Sequence, residues 1–336
     1  MKIVFFEVFN NEEKILKELL PNNEVFCFEE KLNEENIDKA KDADVVSVFI
    51  NSKLDKNIID NLNNLKFIAT RSTGFDHIDY KYAESKEIKV SNVPAYGSYT
   101  VAEFAFALLL NLSRKIYDAY NNLKEGADFN ISSLQGFDLH GKVIGVIGTG
   151  KIGKNVIKIA KGFNMKVVAY DLYSDLDFAK ENDFEYKDLD EVFSSSDIIT
   201  LHAPYTKENY HFINKESITK MKKGVYIINT ARGELIDTDA LIWGLEEKII
   251  AGAGLDVLEG ERELKEEFEI LSDISKSEKV KDYKILLEDH VLIDMPNVII
   301  TPHIAFYSKE AENDIVKTTI ENIKSFMSGN LQNLVK

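Results

Sequence analysis

The chain of 336 residues has one cysteine, Cys27, no apolar run long enough to cross a membrane and no excess of positive charge. Each shortage closes off a class of function. A single thiol forms no internal disulfide and suits a reducing compartment, so the chain is expected to be soluble and cytoplasmic. Its longest apolar run, FAFALLL at 104–110, is far below the roughly 20 residues a helix needs to span a bilayer. The start, MKIVFFEVF, lacks a long apolar segment and a small-residue cleavage site, and reads as a first strand rather than a secretory signal. Lys and Arg number 41 against 57 Asp and Glu, a net charge of −16. Nucleic acid and anionic membranes need basic patches, so neither is an expected partner. An anionic substrate would need a local cation to offset that charge. No His, Cys, Asp or Glu cluster has metal-ligand spacing, so no metal is expected. Internal repeats and low-complexity segments are absent.

What is present is the composition of a folded protein, 44% hydrophobic and 29% charged. The length favours two domains over one core. Short β-type runs at 2–8, 24–28, 43–50 and 66–70 alternate with helical patterns at 11–20 and 55–65. A second series starts at KVIGVIG (142–148) and continues at 166–170, 197–202, 225–230, 250–257 and 297–301. These runs are apolar almost throughout, as in parallel sheets covered on both faces. Two longer helical patterns stand apart. The one at 98–123 is apolar on more than one face, and the one at 309–329 is amphipathic and ends on Gly329. The segment 257–295 is charged and aperiodic, and reads as a surface insertion with short helices at best.

The second series opens on Gly148-Thr149-Gly150-Lys151-Ile152-Gly153, a G-x-G-x-x-G between a strand and a helical pattern. The following strand ends on Asp171, 21 residues after Gly150. That is the dinucleotide fingerprint: the first glycine turns, the second admits the pyrophosphate and the third packs helix on strand. Asp171 can accept from both ribose hydroxyls of NAD but would repel a 2′-phosphate. At roughly 4 Å and an effective dielectric near 20 the repulsion is about 4 kcal/mol per charge pair. NADH is therefore expected over NADPH, with no Lys or Arg beside Asp171 in the sequence to offset it.

A substrate site belongs at the carboxyl ends of such strands. The candidates standing there are His202, Arg232, Asp256 and His303. A guanidinium at Arg232 would offer a planar fork to a carboxylate and supply the local cation. Hydride transfer to a carbonyl leaves an alkoxide that needs a proton donor, and histidine is the usual one. Glu259, Glu261, Glu263 and Asp256 are all available to orient it, and the residues alone do not select among them. His77 reads as structural, and His140, His211 and His290 as surface or loop residues.

RSTGFDHID (71–79), NVPAYGSYTVAEFAFALLL (92–110), GKVIGVIGTGKIG (141–153), INTARGELID (228–237), GLDV (254–257) and PHIAFY (302–307) together resemble the D-isomer-specific 2-hydroxyacid dehydrogenases, most closely their D-lactate dehydrogenase branch. The resemblance spans nearly the whole chain in order. It implies an α/β protein of two Rossmann-like parallel-sheet domains. A smaller flavodoxin-like substrate domain would be built from 1–97 plus 304–336, and a larger doubly wound NAD-binding domain from 98–303. It implies that Arg232 clamps the substrate carboxylate, that His303 is the acid–base and that Glu261 partners it. Asp256 would lie beside the nicotinamide. Gly148, Gly150, Lys151, Ile152 and Gly153 would meet the pyrophosphate and Asp171 the ribose. Ala203, Pro204, Asn209, Thr230 and Ala231 would line the cofactor cleft. Ser72, Thr73 and Gly74 would give backbone N–H groups to the substrate, while Tyr96 and Phe306 would bound its side-chain pocket. A homodimer through the NAD-binding domain is implied as well.

The expected reaction is NADH-dependent reduction of pyruvate or a close homologue to the D-2-hydroxy acid. The alternatives are another 2-oxo acid specificity (glyoxylate, hydroxypyruvate, branched-chain or phosphoglycerate) and an NAD-sensing corepressor of the same fold. The chain stopping at Lys336 and the aromatics after His303 weigh against the phosphoglycerate type.

Overall fold

Among the described residues the apolar runs form twelve strands in two sheets, and every ladder between strands is parallel. The structure is a computed structural model and describes residues 1–9, 12–94, 96–126, 129–261, 264 and 283–335. The chain divides into a first unit, Met1–Gly97 with Tyr307–Lys336, and a second unit, Ser98–Phe306.

In the first unit, strands β1 (Lys2–Phe5), β2 (Glu24–Cys27), β3 (Val45–Val48), β4 (Phe67–Thr70) and β5 (Lys89–Ser91) lie in the order β2-β1-β3-β4-β5. Alternate residues feed opposite faces, as the pleat requires. Val4, Val46 and Ile68 enter one core, while Ile3, Phe5, Val45 and Phe67 enter the other. The helix Lys309–Ser328 covers the second core with Val316, Ile320 and Ile323, and Phe326 stacks on Phe67 at 4.5 Å. Ser308 caps its start and Gly329, at φ 79, ends it.

In the second unit, β6 (Val143–Ile147), β7 (Lys166–Tyr170), β8 (Glu185–Tyr186), β9 (Ile198–Leu201), β10 (Val225–Asn229), β11 (Ile250–Leu255) and β12 (Val298–Ile300) lie in the order β12-β11-β10-β9-β6-β7-β8. Order reverses at β6, which makes this sheet doubly wound, with its switch point between β6 and β9.

Three expectations are corrected. The helical pattern at 98–123 is two helices, Ser98–Arg114 and Ile116–Gly126, broken at Lys115 with φ 55. In one continuous helix Tyr117 N–H would bond the Ser113 carbonyl. Instead Phe137 N–H takes that carbonyl at 2.9 Å, and Tyr117 N–H donates to Asn111 Oδ1 at 2.8 Å. The second half of 257–295 carries a regular helix, Tyr283–Asp294, anchored by buried Leu286 and Leu292 in the core. Residues 262, 263 and 265–282 of that insertion lie outside the described residues. Finally, residues 304–306 belong to the second unit, because the Asp256 carboxylate accepts from Ile304 N–H at 3.0 Å and Ala305 N–H at 2.8 Å. Among the described residues no helix is long and apolar enough to cross a membrane.

Candidate active site

Parallel register brings the candidate residues of the second unit into one row. Tyr170, Ile147, Leu201, Asn229, Leu255 and Ile300 are paired successively across β7, β6, β9, β10, β11 and β12. The residues that follow them, Asp171, Gly148, His202, Thr230, Asp256 and Thr301, therefore line the carboxyl edge of the sheet, where ligands of open α/β sheets bind.

At the β6 end the backbone is shaped by missing side chains. Gly148 has φ 92, and a Cβ there would stand 2.5 Å from the Ala203 nitrogen. A Cβ on Gly153 would meet the Gly148 carbonyl oxygen at 2.0 Å, so the helix Lys151–Gly162 rests directly on the turn. At Gly150 a Cβ would meet nothing within 4 Å. Gly150 is the helix N-cap and gives no side-chain cap, so no cap side chain takes up the first-turn N–H groups of Lys151 and Ile152. That cradle fits a pyrophosphate. The Ile152 side chain itself packs into the core.

At the β7 end Asp171 is tied to the same turn. Its Oδ2 accepts from Thr149 N–H at 2.5 Å and the Thr149 hydroxyl at 2.9 Å, and Oδ1 accepts from Tyr173 N–H at 2.8 Å. Because the Thr149 proton is committed, the Tyr186 hydroxyl donates to Thr149 at 2.9 Å and itself accepts from Asp175 N–H at 3.2 Å. Burial pushes the Asp171 carboxyl up, but the bonds from Thr149 and Tyr173 and the Lys154 charge outweigh it and hold the group below the usual carboxylate range. Lys154 is the nearby cation that the local sequence did not show, and its ammonium is ion-paired with Asp175.

Along the middle of the row the polar groups divide. Asn209 is spent on its own turn, accepting from Thr206 N–H at 2.7 Å and donating to the Pro204 carbonyl at 2.8 Å, so it shapes the loop from Ala203 onward. His202 Nε2 lies 2.8 Å from the Thr200 hydroxyl, and burial drives its pKa down to about 3, so its ring is neutral. Its Nδ1 and the Thr230 hydroxyl are buried with no hydrogen-bond partner among the described residues. Two orphaned polar atoms at neighbouring strand ends are what a polar ligand group would satisfy.

At the β10 to β12 end lie the reactive groups. His303 Nδ1 stands 3.0 Å from both Glu261 carboxylate oxygens. A carboxylate only accepts, so Nδ1 carries the proton it donates and Nε2 is the nitrogen left to face a reactant. His303 has φ 56, held by its N–H bonds to the Asp256 and Thr301 carbonyls at 2.9 Å. A non-glycine residue there costs on the order of 1–3 kcal/mol and persists only where the surroundings impose it. Asp256, 1% exposed, imposes it: besides Ile304 and Ala305 it accepts from the Thr301 hydroxyl at 2.5 Å. Burial pushes the Asp256 carboxyl above its ordinary value despite these bonds. Half-buried Arg232 donates through Nη1 to the Ala231 carbonyl at 2.7 Å. Asn229 staples that turn: Ala231 N–H donates to its Oδ1 at 3.0 Å, and its Nδ2 donates to the Arg232 carbonyl at 2.9 Å. Half-buried Phe306 closes the unit's chain.

Sequence reasoning passed over Asn229, Thr149 and Tyr186. Asn229 sits inside the quoted INTARG, and its bracketing of the turn was the available signal. Glu263 lies outside the described residues. Among the described residues no group of His, Cys, Asp and Glu is placed to hold a metal ion.

In the first unit, the loop after β4 holds Ser72, Thr73 and Gly74. The Ser72 hydroxyl donates to the Gly74 carbonyl at 2.6 Å, and the Thr73 hydroxyl to the Val93 carbonyl at 2.8 Å. His77 is structural here, its Nε2 lying 3.1 Å from the Thr70 hydroxyl. None of the backbone N–H groups of Ser72, Thr73 and Gly74 donates to a described residue. Such a run of free amides can take an anion. Half-buried Tyr96 lies on the segment that ends this part of the unit.

The profile of the D-isomer specific 2-hydroxyacid dehydrogenase NAD binding domain matches residues 106–305. The D-lactate dehydrogenase of Escherichia coli is 37% identical over 339 residues, covering 98% of each chain. An aromatic 2-oxoacid reductase of Clostridium sporogenes is 43% identical over 290 residues, covering 85% of this chain and 84% of the relative. Among solved structures, the D-lactate dehydrogenase of Aquifex aeolicus complexed with NAD and lactic acid superposes with a TM-score of 0.87 at 36% identity, covering 99% of this chain and 98% of that one.

Proposed function

Since the chain belongs to the D-isomer-specific 2-hydroxyacid dehydrogenases and is an NAD-dependent enzyme of that family, we propose that it reduces pyruvate or a close 2-oxo acid homologue with NADH, reversibly, to the D-2-hydroxy acid. The observation that carries this reading is the His303–Glu261 pair on the same sheet edge as Arg232 and the Gly150 cradle.

When bound, NADH supplies the hydride for the carbonyl carbon. Arg232 holds the substrate carboxylate through its planar fork. In the first unit, the N–H groups of Ser72, Thr73 and Gly74, which donate to no described residue, are likewise suited to a carboxylate. His303 gives the proton on Nε2 to the carbonyl oxygen as negative charge develops there, while Glu261 holds Nδ1–H and steadies the ring. Lys151 and Ile152, on the turn shaped by Gly148, Gly150 and Gly153, would hold the pyrophosphate, and Asp171 the ribose. Ala203, Pro204 and Asn209 would form the cleft wall, Thr230 and Ala231 would meet the nicotinamide end, and Asp256 would lie beside it.

Asp171, ionised at working pH, sets the cofactor preference. Repulsion of about 4 kcal/mol against each charge of a 2′-phosphate corresponds to a large bias, diluted by solvent at a half-exposed site. We expect kcat/KM for NADH to exceed that for NADPH by about 10²-fold, and Asp171→Ser to remove most of that ratio, by lifting the repulsion from NADPH as well as by weakening NADH. Initial rates with both cofactors check this, and an unchanged ratio in Asp171→Ser refutes it.

The enzyme is proposed to work in the cytoplasm as a homodimer. Ile116, Tyr117, Tyr120 and Leu123 are exposed on the helix Ile116–Gly126, as are Tyr283, Leu287 and Val291 at helical spacing on Tyr283–Asp294. Tyr117 and Ile293 line one shared groove, and the exposed apolar residues of Ile116–Gly126 are suited to cover by a second copy.

The deciding experiment is a panel of 2-oxo acids with NADH: pyruvate, 2-oxobutyrate, 2-oxoisocaproate, phenylpyruvate, hydroxypyruvate and glyoxylate, with chiral analysis of the products. Pyruvate or 2-oxobutyrate is expected to give the highest kcat/KM, with a D product. The similarity to an aromatic 2-oxoacid reductase makes phenylpyruvate the main competitor, and a clear preference for it would move the substrate to the aromatic class.

A further inference from the structure

Two residues before Glu261 in the chain, Glu259 anchors a second polar cluster that the reaction does not use. Glu259, whose side chain is 9% exposed, accepts from His211 Nε2 at 2.6 Å, the Tyr210 hydroxyl at 2.9 Å and the Thr238 hydroxyl at 3.2 Å. The carboxylate can only accept, so His211 carries a proton on Nε2 and both hydroxyls donate. Burial and this bond push the Tyr210 phenol up to about 12, which keeps it a donor at any working pH.

His211, read from sequence as an unremarked loop residue, is itself fixed. Its backbone has φ 51, its N–H donates to the Glu234 carbonyl at 2.9 Å and its own carbonyl accepts from Asn214 Nδ2 at 2.9 Å. Its ring stacks on Tyr210 with centroids 3.8 Å apart, and Nδ1 lies 3.9 Å from Asp237 Oδ2. The backbone beside Glu259 is gripped as well. A Cβ on Gly233, the residue after Arg232, would stand 2.1 Å from the Leu258 carbonyl carbon and oxygen. A Cβ on Gly260 would stand 2.3 Å from Asp289 Oδ2 and Ile285 Cγ2. The next residue is Glu261, with both carboxylate oxygens 3.0 Å from His303 Nδ1.

We propose that Glu259, clamped by His211, Tyr210 and Thr238, is a positioning residue for proton transfer: it fixes the segment that carries Glu261 and so the ring of His303. This rests on the reading of His303 and Glu261 as the acid–base pair. Three donors converge on one carboxylate, so its loss releases the segment as a unit and leaves those donors unsatisfied.

The test is a double-mutant cycle in the full-length enzyme, with steady-state kinetics and melting temperature for each variant. Glu259→Ala is expected to lower kcat about 10- to 100-fold, the size of outer-partner effects elsewhere, with KM for NADH within about twofold. Glu259→Gln keeps an acceptor and should recover kcat to within about threefold of wild type. In a Glu261→Ala background, where no side chain is left to hold the His303 ring, Glu259→Ala should add less than about a further twofold. If Glu259→Ala unfolds the protein, Glu259→Asp carries the cycle, with the same charge and an acceptor drawn back by one methylene. Losses that multiply across the cycle, or a wild-type kcat in Glu259→Ala, overturn the positioning role while leaving the acid–base reading in place. A wild-type kcat in Glu261→Ala alone overturns both.

Discussion

Replacing His303 with glutamine is expected to lower kcat for 2-oxo acid reduction about 10³-fold, with KM for NADH within about twofold of wild type. The argument is one of geometry and proton supply. Glu261 takes the Nδ1 proton at 3.0 Å through either oxygen, which fixes the tautomer and leaves Nε2 for the carbonyl oxygen. Glutamine can still donate a hydrogen bond, so it retains some stabilisation of the developing alkoxide, but it has no proton to transfer at neutral pH. Positioned acid–base groups contribute about 10²- to 10⁴-fold, and the retained hydrogen bond places the loss inside that range. The nucleotide cradle is carried by β6 and β7, three or more strands from β12, so cofactor binding should be spared. Glu261→Gln keeps a bond to the ring without the charge and should cost about 10- to 100-fold. Single-turnover reduction with saturating NADH separates the chemical step from release. A His303→Gln variant that reduces its substrate at the wild-type single-turnover rate would rule the histidine out as the acid.

The alternation of strands and helices, the glycine turn and the place of Asp171 at a strand end were legible in the sequence because each depends on neighbours close along the chain. G-x-G-x-x-G reports a turn between a strand and a helix, and the residues that give it meaning lie within one βαβ unit. The row along the sheet edge was legible for a similar reason: parallel register follows from apolar runs of similar length. What escaped was set by contacts far apart in sequence. The break at Lys115 exists because Phe137 takes the Ser113 carbonyl, and no periodicity in 98–123 records that. Asp256 read as a cofactor contact, whereas its carboxylate also pins the turn of His303 through residues 45 to 49 positions away. The choice among Glu259, Glu261, Glu263 and Asp256 as the partner of His303 was open on residue type alone. Glu263 lies outside the described residues; the other three carboxylates face three different sets of donors, and only the fold distributes them: Glu261 to His303, Asp256 to the following turn, and Glu259 to His211.

The substitution Arg232→Lys is expected to lower kcat/KM for the 2-oxo acid about 10²- to 10³-fold, and Arg232→Ala further still. A net charge of −16 opposes an anionic substrate only weakly at a distance, because charges beyond about 8 Å are screened at physiological ionic strength. A guanidinium about 4 Å from the carboxylate is worth about 4 kcal/mol at an effective dielectric near 20, so the local cation decides binding. Lysine keeps the charge and loses the fork. It binds as a point charge, so KM should rise, and the carbonyl should sit less well before His303, so kcat should fall too. The Asn229 staple across Ala231 and Arg232 holds the backbone of this turn through its own side chain, so neither substitution should displace it. The discriminating measurement compares a 2-oxo acid with its neutral 2-oxo amide. Wild-type enzyme should prefer the acid strongly, Arg232→Lys should keep a reduced preference, and Arg232→Ala should nearly lose it. If the amide and the acid lose activity equally in Arg232→Ala, the arginine supports the turn rather than the substrate, and the clamp must be sought elsewhere.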